Sequence, residues 1–94
     1  MAEAAQQQSA EERRRAVRPV HGAADWRRRL RRELLRVGVA SASIYIDGSR
    51  GVARMRFPAH ADRLSVPVSD ALSVLRSLPD RAGIDTTLDA LRGT

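Results

Sequence analysis

Arginine is the side chain in this sequence with enough copies, spaced closely enough, to do chemistry. All seventeen basic residues are arginine, set against eleven acids, for a formal charge of +6. A guanidinium forks onto two oxygens of a phosphate or carboxylate and stays charged at any working pH. Ten arginines lie between Arg13 and Arg36 with only Asp25 and Glu33 among them, a net of +8. From Ser41 onward seven arginines meet six acids, a net of +1. The positive character therefore belongs to the N-terminal third. The absence of lysine and asparagine fits drift in a GC-rich genome. Drift decides which basic residue is used but adds no net charge. The excess calls for a polyanion, either nucleic acid or an acidic protein surface.

Two groups stand out by spacing. Arg27, Arg28, Arg31, Arg32 and Arg36 recur at helical intervals and are the expected phosphate holders. Tyr45, Arg54 and Arg56, with Arg50 at the turn, share the outer face of a hairpin if the alternation holds. Basic side chains beside an aromatic suit a nucleic-acid strand or groove. Pairing of the arginines with Asp62, Asp70, Asp80, Asp85 or Asp89 would instead reduce the charge to internal salt bridges.

Other chemistries are poorly provided for. Cysteine is absent, which excludes disulfides, thiolate metal sites and cysteine nucleophiles. His60-Ala61-Asp62 sets a carboxylate near an imidazole, but in a loop with no nucleophile at defined spacing. His21, His60 and the scattered acids lack metal-ligand spacing, so no metal and no cofactor is expected. Asp47-Gly48-Ser49-Arg50-Gly51 lacks the length and the lysine of a phosphate-binding P-loop and reads as a hairpin turn. No apolar run is long enough to span a bilayer, and no hydrophobic stretch accompanies the N-terminal arginines as a secretory signal would require. A cytoplasmic protein without membrane attachment is expected. An arginine-coated amphipathic helix can lie on a membrane, but Trp26, Leu30 and Leu34 are needed to cover the sheet.

The elements that must position these groups follow from periodicity. Residues 1–20 read as a flexible basic arm, partly helical. Ser9 and Glu12 form a capping box for a short helix that Pro19 ends. Residues 21–94 read as a single domain. Trp26, Leu30, Leu34 and Val37 mark one face of a helix over 23–37, with Leu35 widening it and Gly38 closing it in a left-handed conformation. Ala42, Ile44 and Ile46 alternate with Ser43, Tyr45 and Asp47. Ala53, Met55 and Phe57 alternate with Val52, Arg54 and Arg56. These two runs make the hairpin. A third strand over 63–68 turns Leu64, Val66 and Val68 inward, and Pro67 confines it to an edge. Ser69 is expected to cap a helix carrying Leu72, Leu75 and Leu78. Thr86 and Thr87 are expected to cap a last short helix.

The expected fold is a small two-layer α+β domain, α-β-β-β-α, with a three-stranded antiparallel meander and a short C-terminal helix. So small a core makes a homodimer, or stabilisation by a partner, a reasonable expectation.

Two local resemblances accompany this pattern. Arg50–Phe57 resembles the RNP1 octapeptide of RNA-recognition motifs at its first, second, fourth and last positions. It departs at Val52 and Arg54, where that family has stacking aromatics. The element order is similar to that of double-stranded RNA-binding domains. The lysine cluster at the start of that family's last helix is replaced here by Ser69, Asp70 and Ala71.

The functional expectation is a small non-catalytic nucleic-acid-binding protein, accessory or regulatory, with DNA favoured over RNA. The alternative is a protein-interaction module (adaptor, assembly factor or inhibitor) docking on an acidic partner surface, as a monomer or a homodimer.

Overall fold

The structure, a computed structural model, describes residues 19–93. The capping box and short helix expected around residues 9–17 lie outside the described residues. Six elements follow in order: α1 (Ala23–Arg36), β1 (Ser43–Asp47), β2 (Val52–Phe57), β3 (Asp62–Pro67), α2 (Val68–Ser77) and α3 (Ile84–Arg92). A single 3-10 turn, Pro58–His60, joins β2 to β3. The three strands form one antiparallel sheet in the order β1-β2-β3, and the helices cover one face of it. This is the expected α+β architecture.

The sheet forms because its apolar residues recur with period two. Ala42, Ile44, Ile46, Ala53, Met55, Phe57 and Val66 are buried on the inner face, while Ser43, Tyr45, Arg54, Arg56, Arg63 and Ser65 point to solvent. Leu30, Leu34 and Val37 of the first helical segment are wholly buried against them, and Trp26 is partly buried at the margin. Val68, Ala71, Leu72 and Leu75 of α2 and Leu88 and Leu91 of α3 complete the core. α1 packs against β1 and α2, so it lies along the β1 side of the sheet.

α1 ends in a Schellman motif. Val39 N–H donates to Leu34 O at 2.8 Å and Gly38 N–H to Leu35 O at 3.1 Å, with Gly38 at φ 91°. The same helix end interlocks with the segment after α2. Arg81 N–H donates to Arg36 O at 3.1 Å, and Gly83 N–H to Val37 O at 2.9 Å. In return the Arg36 guanidinium donates to Leu75 O at 2.6 Å and Leu78 O at 2.8 Å, two carbonyls at the end of α2.

Several sequence expectations need correction. The third strand ends at Pro67, and Val68 begins α2 without a loop. Val68 N–H donates to Gly51 O at 2.9 Å and its side chain is buried. Pro67 is thus the residue before the helix, and Ser69 sits inside the first turn, exposed, making no cap. α3 begins at Ile84, so Thr86 and Thr87 lie within it. Thr87 is wholly buried, and its hydroxyl donates to Gly83 O at 2.7 Å, one turn back. Leu35 is 53% exposed rather than widening the buried face. Leu64 and Leu78 are partly buried. Val20, expected in the arm, donates to Gly48 O at 2.8 Å and packs against the core.

Candidate nucleic-acid interface

On α1, Arg27, Arg31 and Leu35 form one row at four-residue spacing and Arg28 and Arg32 the next, three residues from it, so the five fall on one flank. That flank overhangs the outer edge of β1, an edge with no strand beside it among the described residues. The two enclose an open trough of about 580 Å³ lined by these four arginines, Leu35, Ser43 and Ile44. The Arg31 guanidinium donates to Ala42 O just before β1, which fixes one arginine at the trough wall. Arg28 pairs with Asp25 at 3.2 Å, both well exposed. Arg29, on the other side of Asp25, pairs with it at 2.9 Å and lies 5.3 Å from the Trp26 ring centre. Arg27 and Arg32 have no ion pair or hydrogen bond among the described residues.

The outer face of the sheet holds the second group. Register places Ser43, Arg56 and Arg63 in one cross-strand row and Tyr45, Arg54 and Ser65 in the next. These residues line a shallow trough of about 330 Å³. Tyr45 is 61% exposed, and the Arg54 guanidinium lies 5.8 Å from its ring centre. Arg56 stands directly opposite Arg63, and among the described residues neither has an acidic partner. Like charges directly opposite are destabilising, so a bound anion would relieve this pair. Ser43 and Ile44 line both troughs, so the two basic surfaces meet at β1.

Asp47 ends the basic face at the turn. Its carboxylate accepts from Ser49 Oγ at 2.7 Å, and Arg50 and Arg54 approach it at 3.9 and 3.7 Å. The Ser49 hydrogen bond, the Arg50 amide and these guanidiniums hold its pKa below the ordinary carboxylate value, against a smaller opposing effect of desolvation.

Of the expected site residues, Arg27, Arg28, Arg31 and Arg32 share one trough, and Tyr45, Arg54 and Arg56 share the other. Arg36 does not join them. Besides the α2 carbonyls it pairs with Asp80 at 2.8 Å and Glu33 at 3.0 Å, and these acids hold its guanidinium above the usual range. Its bonds tie it to the helix junction rather than to either trough. Sequence spacing does not single out Arg63. Its signal was its outward phase in the third strand, but only the register sets it opposite Arg56.

Most acids of the C-terminal half are engaged elsewhere. Arg92 pairs with Asp62 and Asp89, Arg36 with Asp80, and His60 with Asp85 at 2.9 Å. No three of His, Asp and Glu are grouped as a metal-ligand set among the described residues. No helix among them is long and apolar enough to cross a membrane. No family model, curated protein or solved structure matches the chain.

Proposed function

We propose that this chain is a non-catalytic nucleic-acid-binding protein, accessory or regulatory, that takes DNA on its basic side. One observation carries the reading. Seven arginines from α1, β2 and β3 line two troughs that adjoin at β1, and five of them, Arg27, Arg31, Arg32, Arg56 and Arg63, have no counter-charge among the described residues. A surface of this kind neutralises phosphates and releases their counterions on binding. Arg27, Arg28, Arg31 and Arg32 hold backbone phosphates along α1. Arg54, Arg56 and Arg63, with Tyr45, hold the part that lies across the sheet.

A mobility-shift titration at low salt, with labelled single-stranded and duplex oligonucleotides, tests it. Retention at about micromolar protein, lost as salt rises, is expected. Absence of a shift with either form at low salt overturns the reading.

A second reading has one observation in its favour. Leu35 is 53% exposed amid the arginines, beside the open edge of β1. An acidic protein surface with one apolar contact, including one presented by a second copy, fits that feature. Light scattering on nuclease-treated protein separates a dimer from a monomer that binds nucleic acid.

A further inference from the structure

Resting on that reading, we propose that the substrate class of the sheet trough is single-stranded DNA, with Tyr45 as a stacking platform for one base. Tyr45 lies in the middle of the outer face of an edge strand, not in a crevice, and 61% of it is exposed. The Arg54 guanidinium over its ring, 5.8 Å from the centre, holds the ring in place and adds a cation to the stack. Arg56 and Arg63 form the next row, where the strand's phosphates would follow, and Ser43 leads from there into the arginine trough under α1.

The base must come from a single strand. In a duplex the faces of the bases are already stacked on one another, and only their edges reach the grooves. A tyrosine on an open sheet can meet a base face only when the base is unpaired. Phosphate contacts alone would not distinguish the two forms, so Tyr45 is the residue that sets the preference. The side chains lining the trough include no carboxylate or amide acceptor to reward a ribose 2′-hydroxyl. The hydroxyls that line it, Ser43, Ser65 and Tyr45, both donate and accept, so the choice of DNA follows the proposed function and is tested by the RNA probe.

Fluorescence anisotropy on the full chain tests this with four labelled probes: a single-stranded DNA, its duplex, an RNA of the same sequence, and an abasic strand of the same length. The single-stranded DNA and the duplex are also titrated with the Tyr45→Ala and Tyr45→Phe variants, each checked for an unchanged melting curve. The single strand is expected to bind more tightly than the duplex and the abasic strand. Tyr45→Ala should weaken single-strand binding by roughly tenfold, Tyr45→Phe should restore most of it, and duplex binding should not change with either. Equal binding of single strand, abasic strand and duplex overturns the stacking role while leaving the proposed function standing. RNA bound tenfold more tightly than DNA overturns the choice of DNA. No binding of any probe overturns the proposed function itself.

Discussion

Arginines of one chemical type do two kinds of work in this chain, and the difference lies in what each guanidinium meets. Arg36 reaches two main-chain carbonyls and two carboxylates across the α1–α2 junction. Arg27 and Arg32, on the same helix, meet solvent. Arg36→Ala should lower the melting temperature more than Arg27→Ala or Arg32→Ala. Arg36→Lys should behave like the alanine variant, because an ammonium cannot fork onto four acceptors. Equal melting temperatures for all four variants would contradict the assignment. Sequence spacing grouped Arg36 with the others because its partners lie some forty residues further along the chain. Asp47 gives a pH-dependent prediction at the same scale. Its folded pKa is depressed, so the stabilisation it provides is fully present above its unfolded value of about 3.9 and is lost as pH falls through the folded value. Ser49→Ala removes the largest cause of that depression. The difference in urea midpoint between neutral and acidic solution should shrink in that variant. An unchanged difference would mean that the Ser49 hydroxyl does not stabilise the carboxylate.

The elements were legible where periodicity and a turn residue agreed. The α1 stripe and Gly38 both mark the same helix end, and alternation alone gives the inner and outer faces of the hairpin. Gly38 shows the energetic side of this agreement. A Cβ there would meet only ordinary contact with Arg81, so its cost is conformational rather than steric. Gly38→Ala should destabilise the domain by about 1–2 kcal/mol, measured by chemical denaturation. A neutral result would mean that the left-handed turn is not required. Legibility failed where tertiary contacts overrode local signals. Ser69 has the composition of a cap, but the Val68 amide is taken up by Gly51 and the helix starts two residues early. Thr87 also looks like a cap, yet it is buried among core residues with its hydroxyl turned back onto Gly83. The pairing of Arg56 with Arg63 was not legible either, because two strands in register are needed to bring them together.

At the scale of the whole molecule, ion pairing sorts the charge. Asp62, Asp80, Asp85 and Asp89 are matched to Arg92, Arg36 and His60, so the formal balance of the C-terminal half is largely internal. Arg76 and Arg81 are also unpaired among the described residues but line neither trough. The cations left around β1 are the ones available to a polyanion, and they come from both the N-terminal third and the sheet. Among the described residues the basic surface is thus broader than α1 alone, which lines one of its two troughs. Salt dependence of binding measures that surface directly. Anisotropy titrations of single-stranded DNA across a salt series should compare the full chain with an R27A/R32A/R56A/R63A variant whose circular dichroism is unchanged. The magnitude of the log–log slope should fall by roughly 0.7 for each of these arginines that contacts a phosphate. An unchanged slope, with binding retained, would contradict the assignment of these arginines to the interface.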